Sequence, residues 1–363
     1  MFSPQSKSGP EPPQKILVTR VDRIGDVVLT TPVFQALRRH FPKSWIAALV
    51  RPATKEILEG NPFINEVLVY DKEGKEKSLW GTLLFAMQLR QKKFDVIINL
   101  HPTNRVHWVS FLSGIPTRIG YRKKLGWLLT HAIEDAKKEG LKHEAAYNFD
   151  LLRFLNIVEP SHFELYFPLN EANRIDFEDC SRQLGFDPYS EPYAVLNPSA
   201  SCPSKIWPAE KFAGLGDVLW ERYQLKCVLI GAETDKTHSE KVKSLMKHTP
   251  VDLTGKLTLG MLAFCLKGAR LLLSNDSGPV HIGVAAGTPV LSIFGRNQAG
   301  LSPVRWGPLG EKSAYVQKDV GCYFCLAHDC QIHFLCLEAL SVEDVLEAVR
   351  RIEPLFRPME KIL

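Results

Sequence analysis

The chain has 363 residues, 45% hydrophobic and 23% charged, with a formal net charge of +5. That length exceeds the usual size of one hydrophobic core, so two packed domains are expected, and the composition excludes a disordered or fibrous chain. The charge is a mild bias toward anionic ligands or an anionic membrane surface, too weak to imply nucleic acid, and no stretch approaches the roughly 20 apolar residues of a membrane-spanning helix.

The first fourteen residues, MFSPQSKSGPEPPQ, are polar and proline-rich with no apolar centre. They read as a disordered leader (1–14) rather than a secretory signal, which leads to a cytoplasmic protein with reduced cysteines. From Lys15 short β-branched runs alternate with helical patterns: KILVT, a helix over Asp26 to His40, WIAALV, a short helix, EVLVY, a longer helix, and FDVIINL. This is the pattern of βαβ units, and Leu29, Val33, Ala36 and Leu37 would lay one helical stripe on the sheet. RIGY at 118–121 is followed by a basic segment and by HEAAYNFDLLRFLNI, where Ala146, Phe149, Leu152 and Leu155 recur three apart. Val158 to Asn170 has two prolines and no period, so a first domain is expected over 15–170.

A second alternating series begins at YAVLN and runs through LKCVLI, VDL, ARLLLSN and TPVLSIF, giving a second parallel α/β domain over 171–340. The last helical stretch, Ser341 to Phe356 within 341–363, opens on Ser341 and Asp344 as a capping pattern and is expected to pack back on the first domain. Two such domains in tandem suggest a ligand cleft, because parallel sheets bind ligands beyond the carboxyl ends of their strands.

The candidate site residues therefore follow strands. Gly25 and Asp26 open the first helix, where glycine lets backbone approach a ligand and the carboxylate is either a proton acceptor or a helix-start residue. In NPSASCPSKIWP, residues 197–208, Ser199, Ser201 and Lys205 could hold a diphosphate, against the reading of a plain surface turn. In LIGAETDKTHSEK, Glu233 follows a strand and could accept ribose hydroxyls or simply start a helix. In LLLSNDSGPVHIGVAAGTP, residues 271–289, a buried strand runs into Asp276, Ser277 and Gly278 at a helix start, so backbone amides would face an anion. His281 lies on the first turn of that helix, and Asp276 would bond sugar hydroxyls or cap it.

RIGDVVLTTP, HPTNRVHWVSFLSGIPTRIGY, HEAAYNFDLLRFL, NPSASCPSKIWPAEKF and SNDSGPVHIGVAAGTPVLSIFG occur in this order from about Lys15 to Val349, and together they closely resemble glycosyltransferase family 9, the ADP-heptose:lipopolysaccharide heptosyltransferases. The resemblance implies the GT-B fold, two Rossmann-like domains with parallel sheets facing a central cleft. It implies ADP-L-glycero-D-manno-heptose as donor and a lipid-linked lipopolysaccharide inner-core acceptor, with inversion at the anomeric carbon and no catalytic metal. By the same resemblance Asp26 is the base, Lys205 the diphosphate lysine, Asp276, Ser277, Gly278 and His281 the donor loop, and Glu233 the ribose acid. Where the family commonly has Thr, Ser277 keeps the hydroxyl. The basic residues Arg118, Arg122, Lys123 and Lys124 fall in the domain that would receive acceptor phosphates or acid sugars, although such runs are often just solvated. Any membrane contact is expected to be peripheral, on the cytoplasmic face. Alternative readings are a family-9 enzyme using another nucleotide sugar and a non-catalytic nucleotide-sugar-binding protein. A dinucleotide oxidoreductase is disfavoured because no G-x-G-x-x-G follows the first strand.

Cys322, Cys325, Cys330 and Cys336 form C-x2-C-x4-C-x5-C, a spacing compact enough for four thiolates around one structural zinc or iron ion, with His328 and His333 in the same loop. Plain packing of reduced cysteines is the alternative. Cys180, Cys202, Cys227 and Cys265 are scattered and expected to be unligated.

Overall fold

The computed structural model describes residues 12–322 and 324–352. The first half forms the strands β1 (Lys15–Thr19), β2 (Trp45–Val50), β3 (Glu66–Val69), β4 (Val96–Asn99), β5 (Thr117–Arg122) and β6 (His131–Glu134), the first four on the runs of β-branched and aliphatic residues. They pair in parallel in the order β3-β2-β1-β4-β5-β6. The second half supplies β7 (Tyr193–Asn197), β8 (Lys226–Leu229), β9 (Val251–Asp252), β10 (Leu271–Asn275), β11 (Val290–Phe294) and β12 (Ser313–Gln317). Read outward from β7, this sheet has the same winding, β9-β8-β7-β10-β11-β12, again all parallel. Parallel sheets are covered by helices on both faces, which is why β7, β10 and β11 are buried throughout. Each sheet changes winding direction once, between β1 and β4 and between β7 and β10, and ligands of doubly wound sheets bind at that point. The α/β, two-Rossmann expectation holds. RIGY, read as no more than a landmark, is the centre of β5, while β6 and β12 carry too little alternation to be read as strands.

The chain forms two compact units that do not follow a single cut near Asn170. One takes the chain up to Asp22 with 33–135 and 148–159; the other takes 23–32, 136–147 and 160 onward. The first helix accounts for part of this difference. The expected continuous helix over Asp26 to His40 is two helices, Ile24–Val28 and Thr31–His40. At the break the Thr30 hydroxyl donates to the Asp26 carbonyl (2.9 Å) and the Thr31 hydroxyl to the Val28 carbonyl (2.8 Å). Side-chain bonds of this kind compete with the helical ladder, and Pro32 cannot donate to it. The short piece carrying Asp26 thus belongs to the second unit.

The C-terminal helix Val342–Ile352 also belongs there, not to the first domain. Its stripe of Val345, Leu346, Val349 and Ile352 joins Trp207, Phe212, Leu219 and Ile293 in one core. The Trp207 indole donates to the Leu340 carbonyl at 3.0 Å just ahead of it. The residues beyond Ile352 that were expected to continue it lie outside the described residues. So does most of the expected leader, but Gln14 is tied down: its N–H donates to Asp95 (2.7 Å) and its carbonyl accepts from Trp45 N–H (2.7 Å).

Within the second unit, segment 136–147 is anchored by a buried ion triad. Glu144, fully buried, accepts from Lys137 Nζ at 2.7 Å and pairs with Arg305 at 2.7 Å. Removing one member of such a group leaves uncompensated buried charge. Glu144→Ala is therefore expected to lower unfolding free energy by about 3 kcal/mol or more, whereas breaking the exposed Glu210–Lys241 pair (2.8 Å) by Glu210→Ala should cost under about 1 kcal/mol. Equilibrium denaturation of the two variants checks the contrast.

Candidate active site

The winding switch of the second sheet is built from asparagines that end strands. Asn275, last residue of β10, donates from Nδ2 to the Pro198 carbonyl (2.6 Å) and accepts at Oδ1 from Trp207 N–H (3.2 Å). Asn197, last residue of β7, donates to Ser274 Oγ (2.9 Å) and Ser277 Oγ (2.7 Å). The loops after β7 and β10 are thereby locked to each other, and the lock brings Lys205 to the donor-loop candidates: Lys205 Nζ is 2.7 Å from Asp276 Oδ2 and 3.3 Å from the Asp276 carbonyl. Asp276 is thus neither the helix cap nor a group left for sugar alone. It is the counter-ion of the lysine.

The helix Gly278–Ala286 starts there with Ser277 as N-cap, and no side chain caps it. Ser277 instead spends its hydroxyl on the Asn275 carbonyl (3.1 Å). An uncapped helix start offers backbone N–H groups and the positive end of the dipole to an anion. Ser199 is buried with a hydroxyl that has no partner among the described residues, while Ser201 is exposed. Glu233 lies on the turn after β8, ion-paired to Lys236 (2.6 Å), its carboxylate packed so closely over Gly255 that a Cβ there would overlap it.

Gly25 makes a close approach to the helix Gly278–Ala286. A Cβ on Gly25 would stand 2.8 Å from the His281 ring and 3.5 Å from the Gly278 Cα, and Ile24 packs on Gly278 from the same side. Asp26, next in sequence and half-buried, is in the first turn of Ile24–Val28, whose N-cap is Arg23. The sequence motifs at 25–26, 199–205 and 276–281 therefore converge in space. His281 itself is buried, and burial, helped by His143 and Lys205, pushes its imidazole down to about 3. It is a neutral hydrogen-bonding group, not the cation that neutralising a diphosphate would need, and its Nδ1 has no partner among the described residues.

In the first unit the basic run is largely committed. The Arg118 guanidinium donates to the carbonyls of Leu128 (2.8 Å) and Ile115 (2.5 Å), Arg122 lies 3.5 Å from Glu134, and Lys123 pairs with Asp135 at 3.1 Å. Among the described residues only Lys124 of the four has no such partner, and it is exposed. The winding switch here holds a dyad the sequence reading passed over: His101, just past β4, meets Asp22, just past β1, at 2.5 Å, and Asp22 is bonded in turn by Arg20 at 2.9 Å. Burial works against the Asp22 charge, but Arg20 and His101 outweigh it and hold the carboxyl below its ordinary value. The position of both residues, two or three past the end of a central strand, was the available signal.

All eight cysteines are free thiols. Cys322, Cys325, Cys330 and Cys336 line one cavity of about 370 Å³ together with Arg296 and Lys318. Burial and the three other thiols push Cys336 up to about 11. Among the described residues, no three His, Cys, Asp or Glu side chains stand in a metal-holding arrangement.

Two doubly wound units, one presenting a lysine and an uncapped helix start at its winding switch, define a nucleotide-type transferase fold. The comparisons with known proteins make this specific. The model of glycosyltransferase family 9 (heptosyltransferase) matches residues 83–335, and the chain belongs to that family. It is 27% identical over 342 residues to lipopolysaccharide heptosyltransferase 3 of Escherichia coli K12, covering 91% of this chain and 95% of that one. A solved family 9 glycosyltransferase from Veillonella parvula has 27% identity and a TM-score of 0.81, covering 94% of this chain and 97% of that one. The Escherichia coli ADP-heptose lps heptosyltransferase II shares the fold at TM-score 0.76 and 20% identity, over 93% and 98% of the two chains. The architecture is GT-B.

The buried neutral His281 makes a prediction independent of any ligand. Above pH 6.5 it is neutral whether folded or unfolded; below that the unfolded chain takes up a proton that the folded one refuses until about pH 3. Stability should therefore fall as pH drops through this window, by about 2 kcal/mol at pH 5 from this group alone. Denaturation curves at pH 7 and pH 5 should show a smaller loss for His281→Gln than for the wild type.

Proposed function

We propose that the protein transfers heptose from ADP-L-glycero-D-manno-heptose to a lipid-linked lipopolysaccharide inner-core acceptor, with inversion and without a catalytic metal. The observation that carries this reading is the convergence of Lys205, the uncapped start of Gly278–Ala286 and the Gly25–Asp26 turn around His281. The names of the relatives, lipopolysaccharide heptosyltransferases among them, supply the donor and acceptor class.

In this mechanism the Asp26 carboxylate accepts the proton of an acceptor hydroxyl as its oxygen attacks the anomeric carbon. The bond from that carbon to the β-phosphate oxygen breaks on the opposite face, and its electron pair leaves with ADP. Lys205 and the backbone N–H groups at Gly278 supply the positive pole that the leaving diphosphate needs, a preorganised arrangement that costs little reorganisation in the transition state. His281 contributes a hydrogen bond rather than charge. Lys205 must shift part of its pairing from Asp276 to the diphosphate, leaving Asp276 to accept from sugar hydroxyls. Ser199, with its unspent hydroxyl, and Ser201 complete the diphosphate side, and Glu233 the ribose side. Gly25, on the acceptor side, lets the turn that carries Asp26 pack against His281, and Lys124 is the basic residue of its run most available to an acidic acceptor, with Arg118, Arg122 and Lys123 behind it. Eight unpaired thiols fit a reducing cytoplasm.

A coupled ADP-release assay with ADP-heptose and truncated lipopolysaccharides tests the reading. Asp26→Asn should abolish transfer, by about a thousandfold or more, while sparing ADP binding; Lys205→Ala should weaken ADP binding and transfer together. Full activity in Asp26→Asn would remove the base assignment, and release from a different nucleotide sugar would change the donor.

We also propose that Cys322, Cys325, Cys330 and Cys336 take one structural zinc or iron ion. Four thiols on one cavity wall form a soft donor set, and binding would draw them closer than they now stand. Elemental analysis should find one metal equivalent in the purified protein and none in a Cys322→Ser/Cys325→Ser variant; a folded, metal-free wild type ends this proposal.

A further inference from the structure

The helix Leu79–Lys92 is apolar on both sides. Thr82, Phe85, Ala86 and Leu89 face the sheet and are buried. On the opposite side, Trp80, Leu84 and Met87 fall at i, i+4 and i+7 and form a second stripe, 74%, 57% and 53% exposed, with Leu79 beside them at 89%. The adjoining helix Asn104–Leu112 packs against it and exposes Trp108 and Phe111, whose rings are 6.4 Å apart. The turn Gly126–Leu128, in contact with that second helix, exposes Trp127. One face of the first unit therefore carries three tryptophans and several long apolar side chains in water, which a soluble surface does not retain without use.

The charge around this face is one-sided. From Lys77 to Lys124 there are nine Lys and Arg and a single acid, Asp95, a surplus larger than the +5 of the whole chain. Asp95 is itself occupied at the other end of the sheet by the N–H groups of Gln14 and Lys15. Lys77, Arg90, Lys93, Arg122 and Lys124 are exposed, and the Arg118 guanidinium sits 5.7 Å from the Phe111 ring centroid. Tryptophan with long aliphatic residues, rimmed by exposed cations, matches the boundary between acyl chains and anionic headgroups. Of the nine, Lys92, Arg122 and Lys123 are answered by Glu66, Glu134 and Asp135, which leaves Lys77, Arg90, Lys93 and Lys124 as the exposed cations without an ion pair among the described residues, and a second copy of this chain would have to answer those four with acids.

We propose that the exposed faces of Leu79–Lys92 and Asn104–Leu112, with Trp127, dock the protein on an anionic phospholipid surface, Trp80, Leu84 and Met87 entering the interface while Lys77, Arg90 and Lys93 contact headgroups. This deepens the reading of a lipid-linked acceptor and rests on it for its purpose. The test needs no acceptor, so the two fail separately.

The full-length protein is sedimented with vesicles of phosphatidylcholine mixed with phosphatidylglycerol, and with vesicles of phosphatidylcholine alone. Binding to the anionic vesicles is expected, with much weaker binding to the neutral ones. Trp80→Ser/Leu84→Ser should weaken anionic-vesicle binding by about tenfold or more, and Lys77→Glu/Arg90→Glu by a similar factor that added salt erases. These side chains are exposed, so both variants should keep the wild-type unfolding transition and wild-type transfer to a delipidated, water-soluble acceptor. Absence of wild-type binding to anionic vesicles, or equal binding by either folded double variant, overturns the proposal. So does light scattering that shows a wild-type dimer and a monomeric Trp80→Ser/Leu84→Ser whose vesicle binding is intact, since the face would then belong to a second copy.

Discussion

The arrangement around Lys205 depends on a side chain that spends both ends of its amide on the protein. Asn275 receives the Trp207 N–H and gives to the Pro198 carbonyl, so the strand end of β10 fixes both ends of the loop that carries Lys205. Locked, it holds the ammonium against Asp276 and beside an uncapped helix start, and the same constraint fixes the hydroxyl of Ser277 through Asn197. Buried polar networks of this sort specify one geometry when every member is satisfied, and their cost is recovered as preorganisation.

A second constraint comes from the interrupted first helix. Thr30 and Thr31 turn their hydroxyls onto backbone carbonyls where the helix breaks, and the short piece Ile24–Val28 packs on Gly278–Ala286. Gly25 permits that contact, since any Cβ would meet the His281 ring. The imidazole, sealed under this contact, is forced to be neutral. Its burial joins the residue preceding the proposed base to the proposed anion site within one compact unit, so a carboxylate from the front of the sequence is carried by the unit that holds Asp276 to His281.

Much of this was legible in the residues. Apolar runs at Lys15, Trp45, Val96, Tyr193, Leu271 and Val290 read as buried parallel strands, and polar residues after them marked 25–26, 199–205 and 276–281, with glycine at 25 and 278. What escaped was decided by tertiary context. β5 and β6 contain Arg, Gly, His and Glu and gain their strand character from pairing, not from pattern. The helix break needs two threonine hydroxyls aimed backward, which no periodicity reports. The amphipathic Val342–Ile352 showed its apolar stripe but not its destination, because the core that receives it is assembled around Trp207, far away in sequence. Asp276 was puzzling until its partner was visible, and the position of His101 after a central strand named no partner until β1 and β4 placed it beside Asp22.

The central claim is that ADP affinity is set by the lock between the loops after β7 and β10, so the most direct measurement is calorimetric titration of ADP into Asn275→Ala. Both amide groups of Asn275 are bonded to the protein, so the account predicts ADP binding weakened by about tenfold or more in a variant that still unfolds cooperatively. ADP binding of wild-type strength by folded Asn275→Ala would contradict it.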